Sequence, residues 1–147
     1  MDSLYLDDPT VGQRFASATY TVDAAEIQRF AAEYDPQPFH MDETAARETL
    51  FGGLVASGWH TAGMMMRLIV GGGLPIAGGI IGSGGELLWT KPVRPGDTLH
   101  LEGEVVELIP SKTRPQGIAR VKFTTFNQDG EAVYTFTPIA IVPRRPA

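Results

Sequence analysis

Residues 54–70 constrain the fold of this 147-residue chain more than any other segment. Apolar residues would occur nearly all round the helix that this segment can form, which is typical of a helix enclosed by other structure. The segment is shorter than the ~20 residues that span a bilayer and contains an arginine, so we predict a buried helix and no membrane partner. Its polar residues recur at steps of three and four, on a side that we expect to face a cleft or a subunit boundary. They are Ser57, His60, Thr61 and Arg67.

The sequence after this helix changes to the alternating apolar and polar pattern of β-strands. A glycine-rich return loop is predicted first, and the predicted strands then cover residues 86–90, 98–109, 118–126 and 131–142. Asp129-Gly130 is a strong hairpin signal. Pro138 indicates that the last strand lies at an edge or carries a bulge. A long buried helix followed by antiparallel strands predicts an α+β domain whose sheet curves around the helix.

The N-terminal third is predicted to add one strand and two short helices. Residues 13–22 alternate moderately and can form the first strand. Asp23 can cap a helix, with Glu26 three residues later as in a capping box. Asp42 can cap a second short helix. The residues of this second segment that we expect to face inward are Ala45, Ala46, Thr49 and Leu50.

Composition limits the classes of function that the chain can have. A formal net charge of −5, with scattered Lys and Arg, gives no attraction to nucleic acid. Cysteine is absent from the sequence, which excludes disulfides, thiol nucleophiles and zinc–thiolate sites. The length suits one domain over residues 1–147. The first residues lack the pattern of a signal peptide, so we expect a cytoplasmic protein, and we predict no metal and no cofactor.

Asp35 and His40 form the candidate acid/base pair. Pro36 and Pro38 lie between them and fix two φ angles while removing two N–H donors, so we predict a stiff segment that is not ordinary helix. A carboxylate and an imidazole presented in this way suit proton transfer. Taken singly, Asp35 is typical of a turn before proline, and His40 of a half-buried histidine bonded to a carbonyl.

Three motifs of the chain resemble those of a known family. Asp35-Pro-Gln-Pro-Phe-His40 resembles the Asp-x-Asn-Pro-(Ile/Leu)-His signature of MaoC-like dehydratases, a group that includes (R)-specific enoyl-CoA hydratases. Residues 51–58, Phe-Gly-Gly-Leu-Val-Ala-Ser-Gly, are similar to the family's Gly-x-(Ile/Val)-Ala-His-Gly segment at the start of its central helix. Residues 91–98, Lys-Pro-Val-Arg-Pro-Gly-Asp-Thr, are similar to the turn before its long strands. The resemblance implies a hot-dog fold and dimers with joined sheets.

The resemblance also assigns roles to individual residues. It implies that Asp35 and His40 are the catalytic pair and that the Gly58 amide binds the thioester oxygen. An amide in the first turn of a buried helix is a ready donor to developing negative charge. The chain has Glu33-Tyr34 where the family has Ser-Gly, and Ser57 where it has His, which predicts a pocket of altered shape and polarity. Gln37 replaces the Asn of the signature, and its extra methylene is expected to shift His40. The motif residues expected to contact the substrate are Gln37, Phe39, Gly53, Ser57 and Trp59.

The function that the resemblance implies is (R)-specific hydration or dehydration of a 2-enoyl or 3-hydroxyacyl thioester, with coenzyme A as part of the substrate. One alternative is a hot-dog acyl-CoA thioesterase, which typically carries a carboxylate on its central helix. Residues 51–85 contain no Asp or Glu, which argues against this alternative. The other is a non-catalytic acyl-binding or structural subunit. Which of Asp35 and His40 is the acid stays open, because close titrating groups share their protonation states.

We also expect a homodimer or a higher oligomer. The predicted sheet is too extensive for one helix to cover, and pairing with a second copy removes an unpaired edge. The alternative is a monomer whose edge is protected by Pro138 and charged side chains.

Overall fold

The computed structural model describes residues 3–147, in which there are six strands, four helices and one π-helical turn. The strands are β1 (Arg14–Ala16), β2 (Tyr20–Thr21), β3 (Ile81–Trp89), β4 (Thr98–Pro110), β5 (Gln116–Phe126) and β6 (Ala132–Pro143). The helices are α1 (Ala24–Tyr34), α2 (Pro38–Met41), α3 (Glu43–Arg47) and α4 (Gly58–Leu68), and the π-helical turn is Ile69–Gly73. No helix in this described range is long and apolar enough to cross a membrane.

The strands form one antiparallel sheet in the order β1-β4-β5-β6-β3, with β2 also paired with β4. Every second residue of β5 is buried, as expected when one face of a sheet covers the core. On that face Leu101, Val121 and Phe123 belong to the same core cluster as Met64 and Met65 of α4. The predicted α+β class, with an antiparallel sheet against a buried helix, is confirmed.

The central helix α4 is shorter than the segment predicted to form it, residues 54–70. It begins at Gly58, and the chain before it is extended because the Val55 N–H donates to the Phe39 carbonyl at 3.0 Å. The Ser57 side chain then accepts a hydrogen bond from the first turn and caps the helix. These contacts place the amino end of α4 beside the segment that carries the acid/base candidates.

Strand β3 begins at Ile81 rather than at the predicted Glu86. Its register with β6 shifts between Gly82 and Gly85, which marks a β-bulge in β3. Pro138 pairs with Gly85, and β6 lies between β5 and β3. The prediction that this strand is an edge is therefore wrong. The alternative, a bulge, is confirmed, because β6 has one extra residue between Ala132 and Tyr134 in its pairing with β5. The bulge in β3 lies opposite Pro138.

The segment before α1 forms two strands, β1 and β2, rather than one continuous strand. Asp23 caps α1 as predicted, because its side chain accepts a backbone N–H at 3.2 Å. Glu26 accepts a hydrogen bond from the Tyr20 hydroxyl, and the predicted capping box is not completed. Asp23 was therefore correctly predicted as the capping residue, whereas Glu26 binds Tyr20 instead of completing the capping box.

The segment between Asp35 and His40 is partly helical, contrary to the prediction. Pro38 begins the single turn α2, where a fixed φ and a missing N–H are both compatible with a helix. Asp42 caps α3 as predicted. Leu50, predicted to face inward, is 98% exposed because α3 ends before reaching it.

Candidate active site

The structure brings Asp35 and His40 together. Asp35 ends α1 and His40 lies in α2, and the distance from the His40 Nε2 to the Asp35 Oδ2 is 3.3 Å. The His40 side chain is 7% exposed and that of Asp35 is 19% exposed. A carboxylate and an imidazole in contact, largely screened from bulk water, form an arrangement that can hold and transfer a proton.

The hydrogen bonds of His40 define its tautomer. The His40 Nδ1 lies 2.7 Å from the Val55 carbonyl oxygen, which can only accept a hydrogen bond. The Nδ1 therefore carries a proton, and the Nε2 that faces Asp35 is the nitrogen that can gain or lose one. The Phe39 ring lies edge-on to the imidazole, with the centroids 4.6 Å apart, and helps to fix its plane.

Two neighbouring side chains hold the Asp35 carboxylate. The Gln37 amide donates to Oδ1 at 2.6 Å, and the Ser57 hydroxyl donates to Oδ2 at 2.7 Å. Burial raises the pKa of Asp35, but the hydrogen bonds from Ser57 and Gln37 outweigh it, with a further lowering by the charge of His40 whenever that residue is protonated, and this pKa lies below its ordinary value. Asp35 is therefore kept ionised.

Ser57 is hydrogen-bonded both to the first turn of α4 and to the Asp35 carboxylate. Its hydroxyl donates to Asp35 and accepts from the Trp59 N–H at 3.3 Å, and the residue is fully buried. Ser57 was expected to contact the substrate, but it does not line the cavity beside Asp35 and instead contacts the Asp35 carboxylate. A serine in this position can orient the carboxylate and hold its charge.

A cavity of about 430 Å³ opens beside the pair. Its walls include four of the site residues chosen from sequence besides Asp35 and His40, namely Gln37, Phe39, Gly58 and Trp59. The other lining residues are Phe51, Val55, Ala56, Thr61, Trp89, Thr90, Lys91, Pro92 and Val93. Gly53 does not line it and instead lies buried near the Arg94 guanidinium. The mostly apolar walls suit a substrate with an apolar part.

Gly58 is the first residue of α4. Its amide has no hydrogen-bond acceptor among residues 3–147, and its carbonyl accepts from the Trp89 indole N–H at 2.8 Å. A Cβ at position 58 would lie 2.7 Å from the Trp89 ring, so a larger residue fits there only if this ring moves. A free amide at a helix amino terminus can stabilise negative charge on a ligand oxygen.

Sequence reasoning missed Trp89, which lines the cavity, whereas Thr61 lines it as expected for the polar side of α4. Trp89 packs edge-on against Trp59, with centroids 5.2 Å apart, and comes from a strand 31 residues after Gly58. Its position depends on the pairing of β3, which no local pattern revealed. Thr61 lies one turn after Ser57 on the same side of α4, and this spacing is what predicted that it would face a cleft.

The polar side of α4 divides between two clefts. Thr61 faces the cavity beside Asp35, whereas His60 and Arg67 line a second cleft of about 380 Å³ between α1 and α4. His60 stacks on Phe30 with centroids 4.8 Å apart, and burial lowers the pKa of His60. His60 and Arg67 therefore lie outside the site formed by Asp35 and His40. No three His, Asp or Glu side chains in the described part of the chain are grouped so as to hold a metal ion.

The fold and the site define a hot-dog protein with an aspartate and a histidine in contact at the amino end of its central helix. Residues 8–127 match the family model described as MaoC like domain. The chain belongs to this MaoC-like dehydratase family, as the three sequence motifs indicated.

Comparison with solved structures and curated proteins agrees with this assignment. A crystal structure of a MaoC-like dehydratase from Rhodospirillum rubrum has a TM-score of 0.96, with 55% identity over 99% of this chain and 100% of that one. An uncharacterized protein of Bacillus subtilis, YdeM, is 36% identical over 132 residues, covering 88% of this chain and 92% of its own. An (R)-specific enoyl-CoA hydratase of R. rubrum is 32% identical over 146 residues, covering 96% and 93%. The family and the hydratase-named relative support a hydro-lyase.

Proposed function

We propose that this protein catalyses the reversible (R)-specific hydration of a 2-enoyl thioester to a 3-hydroxyacyl thioester. The observation that carries the proposal is the pairing of an ionised Asp35 with the His40 Nε2, at 3.3 Å, in a cavity that Gly58 also lines. The name of the R. rubrum (R)-specific enoyl-CoA hydratase supports the same reaction. Coenzyme A enters as part of the substrate, and the chemistry requires no metal and no further cofactor.

In the hydration direction, the pair binds one water molecule. The Asp35 carboxylate accepts one O–H of this water, and the neutral His40 Nε2 accepts the other. As the water oxygen forms a bond to C3, its proton moves to Nε2. Two acceptors that face each other at short range are well suited to share such a donor.

The proton then passes from the His40 Nε2 to C2, which restores the neutral imidazole. One proton and one hydroxide are thus added across the double bond, and the water is consumed without a further acid or base. Asp35 stays ionised throughout because Ser57 and Gln37 lower its pKa, and its charge stabilises the transient imidazolium. In this assignment His40 carries the proton, while Asp35 orients the water.

The Gly58 amide holds the thioester carbonyl oxygen. Attack at C3 moves negative charge onto this oxygen, and an N–H at the first position of α4 can stabilise it without reorganisation. Loss of one such donor typically lowers the rate about 10²-fold or more. The apolar wall made by Phe39 and Phe51, whose ring centroids are 5.1 Å apart, contacts the acyl part of the substrate.

The assay uses crotonyl-CoA and follows the loss of enoyl absorbance and the release of free thiol in parallel. A hydratase removes the enoyl absorbance without releasing thiol. Thiol release would instead indicate a thioesterase, and no change in either signal would indicate a non-catalytic acyl-binding subunit. Either of these last two results contradicts the proposal.

We also propose that the protein is a homodimer joined along β3. This strand pairs with β6 on one side, and its other edge has no partner strand among residues 3–147. Large apolar side chains are exposed along this edge and at the neighbouring mouth of the cavity: Leu88 is 63%, Trp89 44% and Trp59 61% exposed. A second copy paired there would cover these side chains and remove the free edge. Light scattering that gave the mass of one chain at micromolar concentration would contradict the dimer.

A further inference from the structure

The Trp89 indole joins the sheet to the first turn of α4. Its Nε1–H donates to the Gly58 carbonyl oxygen at 2.8 Å. A Cβ built on Gly58 would lie 2.7 Å from the same ring, so the indole also packs closely against the Gly58 backbone. The two residues are 31 positions apart in the sequence, and both line the cavity beside Asp35. Their contact is therefore part of the wall of the proposed site.

Strand pairing fixes the position of Trp89. It is the last residue of β3 and pairs with Tyr134 of β6. The N–H of the next residue, Thr90, donates to the Val133 carbonyl at 3.0 Å, so the backbone on both sides of Trp89 is bound to β6. The Trp59 ring lies edge-on to the indole, with the centroids 5.2 Å apart. Trp89 is thus a fixed point of the sheet against which α4 can be placed.

Two successive peptide groups at the start of α4 are bound at defined positions. The first joins Ser57 to Gly58: its carbonyl accepts from the Thr61 N–H at 3.0 Å, and its N–H is the amide assigned to the thioester oxygen. The second joins Gly58 to Trp59: its N–H donates to the Ser57 Oγ at 3.3 Å, and its carbonyl accepts from the Trp89 indole. Because each peptide group is planar, these bonds fix the directions of both planes. Trp89 provides the bond that comes from outside the helix.

Glycine makes such an outside contact necessary. It has no side chain that limits its backbone angles, so its peptide groups are held by what they bind. The Gly58 N–H has no acceptor among residues 3–147, and its direction therefore depends on the neighbouring hydrogen bonds. A donor stabilises developing charge best when it is already in place before the reaction begins.

We propose that Trp89 is a positioning residue for the reaction, because its hydrogen bond to the Gly58 carbonyl keeps the Gly58 N–H directed at the thioester oxygen. This inference rests on the proposed function, in which that N–H stabilises negative charge on the oxygen. Trp89 acts through Gly58 and transfers no proton. The charge on the oxygen develops during the reaction, so loss of the positioning lowers kcat much more than it raises KM.

The test replaces the indole N–H alone. The chain has two tryptophans, so a Trp59→Phe protein carries tryptophan only at position 89. Production of this protein with benzothienylalanine in place of tryptophan exchanges the Trp89 N–H for sulfur and keeps the shape of the ring. The matched control is the same Trp59→Phe protein with ordinary tryptophan. Trp89→Ala would also remove the ring that packs on Gly58, so it is the less selective change.

We expect the sulfur analogue to lower kcat for hydration of crotonyl-CoA about 10- to 10²-fold relative to its control. KM is expected to change less than about twofold. Circular dichroism checks that both proteins fold. Trp89→Phe, compared with the wild type, repeats the test without the Trp59→Phe background and is expected to lose at least as much kcat.

Infrared difference spectra of bound butyryl-CoA give a second readout. This ligand is saturated and cannot be hydrated, and a hydrogen bond to its thioester carbonyl lowers the stretching frequency. We expect a smaller lowering in the analogue protein than in its control. A purely structural role of Trp89 would reduce stability or binding without moving the carbonyl frequency of the ligand that is bound.

The outcomes separate this inference from the proposed function. Equal kcat values in the analogue protein and its control would overturn the positioning role. A lower kcat with an unchanged carbonyl frequency would also overturn it, because the loss would then arise away from the Gly58 amide. A wild-type protein that does not hydrate crotonyl-CoA would instead overturn the proposed function.

Discussion

Replacement of Ser57 by alanine removes two hydrogen bonds that have different dependences on pH. The hydroxyl donates to the Asp35 carboxylate at 2.7 Å and accepts from the Trp59 N–H at 3.3 Å. A hydrogen bond to a charged group contributes about 1.5–3 kcal/mol, and loss of a helix N-cap costs about 1 kcal/mol. Ser57 is fully buried, so bulk water does not readily replace its hydroxyl.

The contribution through Asp35 changes with pH in a defined direction. The pKa of Asp35 is lower in the folded protein than its ordinary value, and the Ser57 hydrogen bond is one cause. Such a group stabilises the fold above its unfolded pKa, and this stabilisation is lost as the pH falls through the folded pKa. The destabilisation in Ser57→Ala is therefore expected to be largest at neutral pH and to fall toward the capping contribution in acid.

Two measurements on Ser57→Ala check this reasoning. The acid limb of the kcat/KM profile is expected to move to higher pH, because the Asp35 carboxylate is protonated more easily. Urea unfolding at neutral and acid pH is expected to give the larger loss of unfolding free energy at neutral pH. Ser57→Thr keeps a hydroxyl and serves as the control. An unmoved acid limb, or a loss of stability that is equal at both pH values, would refute the role assigned to Ser57.

Two further predictions concern Gly58 and Tyr134. In Gly58→Ala the added methyl group would lie 2.7 Å from the Trp89 indole, so we expect a much lower kcat. Adding Trp89→Ala makes space for this methyl group and is expected to restore part of kcat. Equal kcat values for the single and the double variant would contradict this. Burial raises the pKa of Tyr134 to about 12 from 10.0, so the phenol of Tyr134 is expected to titrate late in ultraviolet difference spectra, with stability falling as the pH rises from 10.0 to about 12. Four phenols that all titrate near pH 10.0 would contradict the second prediction.

The sequence predicted the architecture because its main signals are local. Alternation in the strands, the Asp129-Gly130 turn and the caps at Asp23 and Asp42 each act over a few residues, and the structure contains all of them. The start of α4 was placed too early because the extended conformation of Val55 depends on a hydrogen bond to Phe39, far away in sequence. The periodicity of the sequence alone does not predict that hydrogen bond.

The sequence motifs identified the main residues of the site, but they did not predict which hydrogen bonds these residues make. The spacing of Asp35 and His40 identified the pair, but the partner of Asp35 is Ser57, 22 residues further along the chain. Trp89 reaches the cavity only because β3 pairs with β6, and the sequence pattern did not indicate that β3 begins before residue 86. Residues brought together by long-range pairing were therefore the ones missed.

The central claim is that Asp35 and His40 act as one unit on a water molecule, and kcat of Asp35→Asn with crotonyl-CoA tests it most directly. General acid/base catalysis is worth about 10²- to 10⁴-fold, so a loss of this size is expected in Asp35→Asn and in His40→Ala. The double variant is expected to be little slower than either single one, because the pair works as a unit. Circular dichroism and particle mass should show that all three proteins keep the wild-type fold and assembly. A folded Asp35→Asn protein with kcat close to that of the wild type would contradict the account.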